Sequence, residues 1–259
     1  MEKIESVQNA RLKQWLKLEN KKGRQQQQAY LLDGWHLVKE ALRAGIKLKV
    51  LLLTADFRYT AEFTALTDPA IETIQISTAV AKHLSGTATP QGIFAIAELP
   101  SESLAIPTQV HGAWLLLDSV QDPGNIGTMV RTADAAGFSG VVFGQQTADL
   151  FQPKVVRAMQ GSQFHIHLFK GDLTEWITKF KQQQITVWGT EVSPQAKNYR
   201  SIKPQSDLAL IMGNEGNGIN QQLLSLTDQN LYIPILGQAE SLNVAVAAGI
   251  LMFYLFQAD

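Results

Sequence analysis

Three short apolar runs, Trp114–Leu117, Gly140–Phe143 and Leu208–Met212, constrain the fold of this 259-residue chain more than any other feature. A strand with one face in water alternates apolar and polar residues, and these do not. Strands of this kind are buried on both faces and belong to parallel sheets covered by helices. Between and after them the spacing predicts helices at Asn125–Ala136, Val155–Gln160, Leu173–Gln183 and Leu242–Phe256, with a short one at Gln221–Ser225. Further strands are predicted at Phe164–Leu168, Ile185–Gly189 and Leu231–Pro234. The expected product is a mostly parallel α/β domain over residues 112–259, without a repeat at solenoid periods.

The front of the chain reads as a smaller α/β unit, residues 1–98. A helix is expected within 6–20, then a polar loop from Gly23 through Gln25–Gln28, a strand at Tyr30–Leu32 and an amphipathic helix from Trp35 to Ala44. Lys49–Leu53 and Gly92–Ala97 read as strands and Ala79–Leu84 as a helix. Residues 99–111 contain two prolines and no clean period, which suits a linker.

Charge is distributed unevenly. The whole chain sums to −1, which excludes a general polycation, yet residues 1–50 hold eleven Lys and Arg against five acids, a net of +6. A polyanion contact confined to the front unit is one reading, and a solvated amphipathic helix is the other. Arg11, Lys13, Lys21, Lys22 and Arg24 are the candidate phosphate contacts.

The chain has no cysteine, so thiolate nucleophiles, disulfides, Cys-ligated zinc and cysteine-bound iron–sulfur clusters are excluded. The most apolar run, Val244–Phe256, is too short for the roughly 20 residues of a membrane span, and the amino terminus lacks the apolar core of a secretory signal. A cytoplasmic protein is expected.

Ligands of parallel α/β sheets bind beyond the carboxyl ends of the strands. Three loops there are unusual. In the first, Pro123-Gly124 turns the chain, Asn125 is positioned to cap a helix, and Arg131 follows within that helix. The second, Gly213-Asn214-Glu215-Gly216-Asn217-Gly218, sets a carboxylate among three glycines, without the spacing of a dinucleotide fingerprint or a P-loop. The third, Ile233–Val244, brings Ser241 as a capping candidate and Asn243 to the mouth of an apolar helix. Asn243 needs partners there, from a ligand, from Arg131 or from local backbone.

These three loops, in this order, closely resemble the signature motifs of the SpoU/TrmH branch of the SPOUT superfamily, RNA ribose 2′-O-methyltransferases. The matches are N-x-G-x-x-x-R-T-A at Asn125–Ala133, G-N-E-G-x-G at Gly213–Gly218 and I-P-x-x-G-x-x-E-S-L-N-V at Ile233–Val244. The front unit looks like the L30e-like RNA-binding domain often fused to it, through Ile4–Asn9, Tyr30–Ala41 and Thr89–Gly92.

The resemblance implies a trefoil-knotted carboxyl-terminal domain, a homodimer formed through that domain, bound S-adenosyl-L-methionine and an RNA substrate, with ribosomal RNA favoured over transfer RNA by analogy. By motif position the cofactor would meet Met212, Gly213, Asn214, Glu215, Gly216, Ile233, Pro234, Ile235, Leu242 and Asn243. Arg131, Asn125, Glu215, Ser241 and Asn243 correspond to the catalytic and substrate-positioning residues. The family model makes Arg131 a base, but a guanidinium is a poor one. Clamping an RNA phosphate and stabilising the developing alkoxide is an equally physical role. Methyl transfer from a sulfonium disperses positive charge and calls for in-line positioning in a dry cleft rather than a metal.

Two positions depart from the family pattern: Ala245 where a second serine is common, and Met159 where a small residue follows Arg157. His165 and His167 alternate as metal ligands on one strand face would, or as ordinary sheet residues; without an acid or cysteine set the latter reading is preferred. Lys154 and Arg157, one helical turn apart, face either RNA phosphate or water. Two rival readings are a non-catalytic RNA-binding or ribosome-assembly factor on the same scaffold, and a Rossmann-type nucleotide enzyme, which the missing fingerprint disfavours.

Overall fold

The computed structural model describes residues 2–100 and 106–258. Residues 101–105 of the expected linker lie outside them. The chain divides into two compact units: residues 1–102 with 149–164, and residues 103–148 with 165–259.

The front unit runs β1 (Glu2–Ile4), α1 (Ala10–Leu16), α2 (Lys21–Gln27), β2 (Ala29–Asp33), α3 (Trp35–Arg43), β3 (Leu48–Thr54), α4 (Thr60–Leu66), β4 (Glu72–Ile76), α5 (Thr78–Leu84) and β5 (Ile93–Glu98). Its five strands are ordered β1-β4-β3-β5-β2, with β1, β4 and β3 parallel and β5 antiparallel to both neighbours. The polar loop expected from Gly23 through Gln28 is instead mostly helix, α2 running from Lys21 to Gln27. Asn20 caps it by accepting from the Gly23 N–H at 2.8 Å, and Gln28 ends it in the left-handed region, φ 46°. β1, α4 and β4 were not predicted; EKI and ETIQI hold too few apolar residues to show a period, although Ile4, Ile74 and Ile76 are all core.

The rear unit runs β6 (Ala113–Leu117), α6 (Pro123–Ala135) and β7 (Gly140–Gly144). After α7 (Pro153–Met159), which belongs to the front unit, it resumes with β8 (His167–Gly171), α8 (Leu173–Gln182), β9 (Thr186–Thr190), β10 (Lys197–Asn198), β11 (Leu208–Met212), α9 (Gln221–Leu224), β12 (Gln229–Tyr232) and α10 (Val244–Leu255). The seven strands, ordered β10-β12-β9-β11-β6-β7-β8, are paired in parallel throughout. Every residue of β6, β7 and β11 is buried, as their unbroken apolar character requires. Each buried leucine here contributes about 1.5–3 kcal/mol. One face packs on α8, where the rings of Trp114, Trp176 and Phe180 meet at tilted angles with centroids 5.4–5.9 Å apart. α6 and α10 cover the core with Met129, Val130, Ala133, Ala248, Leu251 and Met252 buried.

Two details differ from the expectations. Residues 149–164 cluster with the front unit, where the Phe151 ring lies 5.0 Å from Tyr30 and Arg157 reaches Asp33. Met159, odd by family pattern, is a core residue there, 1% exposed. The strand expected at Phe164–Leu168 starts three residues later, so His165 precedes it and does not share a strand face with His167; it bonds Asp134 at 2.9 Å.

Candidate active site: a cleft with three carboxylates and no cation

Asp122, not Asn125, caps α6. Its Oδ1 accepts from the Asn125 N–H at 2.8 Å, and Pro123 occupies the first helical position, where its missing N–H costs nothing. Asn125 is thereby one turn inside the helix with its side chain available for other work. Its Nδ2 donates to Glu215 Oε1 at 3.0 Å and its Oδ1 accepts from Asn243 Nδ2 at 2.9 Å.

Asn243, not Ser241, caps α10, its Oδ1 accepting from the N–H groups of Ala245 and Val246 at 2.9 and 3.3 Å. That fixes which end of each amide points where. Asn243 must present its NH2 to Asn125, and an ionised carboxylate can only accept from Asn125 at the other end. The polarity of the Asn243–Asn125–Glu215 line is consistent from both termini.

Glu215 is held by more than Asn125. Its Oε1 also accepts from the Asp122 N–H at 3.2 Å and its Oε2 from the Gln121 N–H at 3.3 Å. Burial pushes its pKa up, but the bonds from Asn125 and from the backbone N–H groups of Glu215, Asp122 and Gln121 outweigh this and leave the carboxyl below its ordinary value. The glycine loop is closed on itself: Asn214 and Gly218 exchange backbone bonds of 2.9 and 3.0 Å, and Asn214 Oδ1 accepts from Gly216 and Asn217. Gly213 is required by crowding, since a Cβ there would lie 2.3–2.5 Å from the backbone of Gly218 and Ile219. Asn214 Nδ2 ties this loop to the Ser119 carbonyl at 2.8 Å.

These loops and the start of α10 enclose a cavity of about 560 Å³, within the about 300–1,000 Å³ of small-molecule sites. Met212, Gly213, Asn214, Glu215, Ile233, Ile235, Leu242 and Asn243 line it, as expected; Gly216 and Pro234 do not. Ser241 lines it too, exposed and in no hydrogen bond among the described residues. Residues 234–242 enter no hydrogen bond among the described residues, so the backbone polar groups bordering the cleft are available to a ligand. Glu191, Glu215 and Glu240 line the cavity, and no Lys or Arg does. Three carboxylates without a cation favour a positively charged ligand over a dinucleotide phosphate.

Arg131 lies on the exposed face of α6 with Thr128 and Gly124 and outside the lining of the cavity. It enters no hydrogen bond or ion pair among the described residues. Among them, too, no group of three or more His, Asp or Glu is arranged to hold a metal.

The front-unit cations fall into two groups. Arg24, expected on the RNA surface, is 3% exposed and donates to the carbonyls of Leu18 and Glu19 and to Asp149; it is a structural residue. Arg11 is engaged bidentately by Glu72, at 2.7 and 2.8 Å, and by Glu2 at 2.8 Å, and lies over the Trp15 ring. Arg157 pairs with Asp33 at 3.4 Å. Lys13, Lys21, Lys22 and Lys154 are exposed and in no ion pair among the described residues.

The SpoU rRNA methylase family model matches residues 112–253, more than half of the chain. The chain belongs to the SpoU rRNA methylase family. A second model, the MRM3-like substrate binding domain, matches residues 9–95. The SpoU chain is 43% identical to the 23S rRNA (guanosine(2553)-2′-O)-methyltransferase RlmP of Bacillus subtilis, covering 98% of this chain and 99% of that one. Among solved structures it is similar to an AdoMet-bound rRNA methyltransferase from Sinorhizobium meliloti, with TM-score 0.85, 31% identity, and 98% and 97% of the two chains covered. It is also similar to the SpoU methyltransferase AviRb of Streptomyces viridochromogenes in complex with AdoMet, with TM-score 0.83, 26% identity, and 96% and 97% covered.

Proposed function

We propose that this chain transfers a methyl group from S-adenosylmethionine to the 2′-hydroxyl of a ribose in ribosomal RNA, and that its substrate is 23S rRNA, the RNA named for its Bacillus subtilis relative. The observation that carries the reading is the cleft lined by three carboxylates and no cation, joined by the Asn243–Asn125–Glu215 line to the helix that bears Arg131. When bound, S-adenosylmethionine supplies an electrophilic methyl on a sulfonium.

The residues of the chain do the rest. Glu191, Glu215 and Glu240 favour a positively charged ligand, the apolar walls of Ile233, Leu242 and Leu251 exclude water, and the backbone of 234–242 offers donors and acceptors. Arg131 clamps an RNA phosphate bidentately and stabilises the 2′-oxygen as the hydroxyl gives its proton to water and the oxygen takes the methyl group, the neutral thioether S-adenosylhomocysteine being the product released. Asn125 and Asn243 hold the start of α6 against the start of α10, and Glu215 fixes both to the glycine loop. Ser241 positions the hydroxyl.

Lys13, Lys21, Lys22 and Lys154 hold RNA phosphates, which makes binding salt-dependent. Val246, Ile250 and Phe253 form an apolar stripe on α10, 53%, 36% and 62% exposed, and we assign it to a homodimer contact. In keeping with its family, the carboxyl-terminal segment is threaded as a trefoil knot. No helix among the described residues is long and apolar enough to cross a membrane.

The test is transfer of labelled methyl from S-adenosylmethionine to a 23S rRNA transcript, mapped by resistance to alkaline cleavage. One resistant ribose supports the reading. RNA binding without methyl transfer supports the assembly-factor alternative.

A further inference from the structure

The front unit contains a second built cavity, of about 280 Å³, at the carboxyl end of β3. It is smaller than most sites for whole cofactors and suits a single planar group. Its wall includes Asp56, Arg58, Tyr59 and Gln91. Tyr59 is 51% exposed, although large aromatic side chains are normally covered. Its ring lies 14° from the plane of Trp35, with centroids 6.0 Å apart, and Phe57 supports both at 5.9 and 5.6 Å. Trp35 is itself fixed, its Nε1 donating to Glu62 and its backbone N–H to Gln91 Oε1. An exposed ring backed by packed rings is a rigid platform, and Trp35 and Phe57 are the ring partners of Tyr59 among the described residues.

The polar rim narrows what can lie on that platform. The Asp56 carboxyl is exposed and is kept below its ordinary pKa by hydrogen bonding from Thr54, by its own backbone N–H and by the Arg58 charge. It is therefore ionised at neutral pH and only accepts. Guanine alone among the RNA bases presents two adjacent donors, N1–H and N2–H2, to one carboxylate. Uracil offers one donor between two acceptors, and adenine and cytosine each put an acceptor beside their donor. Arg58 lines the same cavity and supplies a positive charge near the carboxylate.

We propose that this cavity holds one unpaired guanine of the RNA, stacked on Tyr59 and bonded through its Watson–Crick edge to Asp56, as a second contact besides the methylated nucleotide. Unpaired bases stacked on aromatic side chains are a recurrent mode of RNA recognition. The proposal rests on the chain being an RNA enzyme but not on the chemistry of the rear cleft.

The test uses the full chain and four labelled pentamers, r(AAGAA), r(AAAAA), r(AACAA) and r(AAUAA), titrated by fluorescence polarisation. The guanine pentamer should bind tightest. Tyr59→Ala should weaken it about tenfold or more, and Tyr59→Phe, which keeps the ring, should bind as the parent does. Asp56→Asn, an exposed and nearly isosteric change, should abolish the preference for guanine while affinity for the other three pentamers stays within about twofold. S-adenosylmethionine affinity should be unchanged in all three variants. Equal binding of the four pentamers, no binding of any, or a guanine preference that survives Asp56→Asn would overturn the proposal. A 23S rRNA transcript still methylated in any of those cases would leave the enzymatic reading standing. Failure of that reading shows instead as no methylation by the parent chain.

Discussion

Asn125 donates its side-chain NH2 to Glu215 at 3.0 Å and so joins the first turn of α6 to the glycine loop after β11, ninety residues later. The same amide accepts from Asn243 at the mouth of α10. Replacing it with alanine takes one bond from the Asn243 amide and one from the Glu215 carboxylate and breaks the link between the two loops. A misplacement of the order of 1 Å costs about a hundredfold in rate, so Asn125→Ala should lower kcat by about that factor. S-adenosylmethionine binding measured by calorimetry should fall much less.

Glu215 gives a dependence on pH. Its folded pKa lies below the ordinary value of 4.5 because its hydrogen bonds outweigh the effect of burial. Its contribution is therefore present above that ordinary value and is lost as pH falls through the lower folded value. Hydrogen exchange at Gln121 and Asp122, whose N–H groups it accepts from, should quicken relative to the rest of the chain as pH drops below 4.5, after correction for intrinsic rates. In Glu215→Gln the two amides should be less protected at every pH, without this step.

Gly213 tests the crowding of the loop. Gly213→Ala puts a methyl into contact with the Gly218 and Ile219 backbone at 2.3–2.5 Å, so the loop must open. Cofactor affinity should fall by at least about tenfold, as loss of a shaped site requires, while Gly216→Ala, whose nearest neighbour would be Asn214 at 3.7 Å, should bind nearly as the parent does.

The front-unit cations separate stability from binding. Arg24→Met removes a buried guanidinium bonded to two carbonyls and Asp149, and should cost about 3 kcal/mol in urea unfolding. The triple change of Lys13, Lys21 and Lys22 to alanine should leave the urea midpoint in place and make the dependence of RNA affinity on salt less steep.

The apolar stripe on α10 predicts an association state. Phe253→Glu places a charge at its most exposed residue, and sedimentation should show a monomer where the parent sediments as a dimer.

Much of this was legible in the sequence because burial leaves a period. The fully buried strands β6, β7 and β11 declare themselves, and so do the amphipathic helices α3 and α8. The loops were legible as glycine-rich turns after strands, and three of the residues picked out there, Asn125, Glu215 and Asn243, meet in one hydrogen-bonded line. The local caps were not. Asn125 and Ser241 are good capping residues by type, but Asp122 before Pro123 and Asn243 before an apolar helix capture those positions, which frees Asn125 to bridge loops. The Asp122-Pro123 pair was the available signal. Arg24 looked like any other basic residue, since a chain carries no local mark of a cation that folding will surround with carbonyls. The placement of 149–164 was hidden for a similar reason: α7 is apolar enough to cover either sheet, and only the partners Tyr30 and Asp33 decide. The acids Glu191 and Glu240 were also missed. They lie far from the glycine loop in sequence, and their shared sign matters only once the cleft brings them to Glu215.

The central claim is that Arg131 acts on RNA and that the cleft, independently of it, holds S-adenosylmethionine. Ribose methylation of 23S rRNA should therefore be mapped by alkaline cleavage in cells lacking the gene, complemented with either the parent chain or Arg131→Ala, with cofactor affinity measured on both purified proteins. The account predicts one ribose that resists cleavage with the parent, none with Arg131→Ala, and cofactor affinities within about twofold of each other. Cleavage patterns that do not change with the gene, or an Arg131→Ala protein that still methylates, would contradict it.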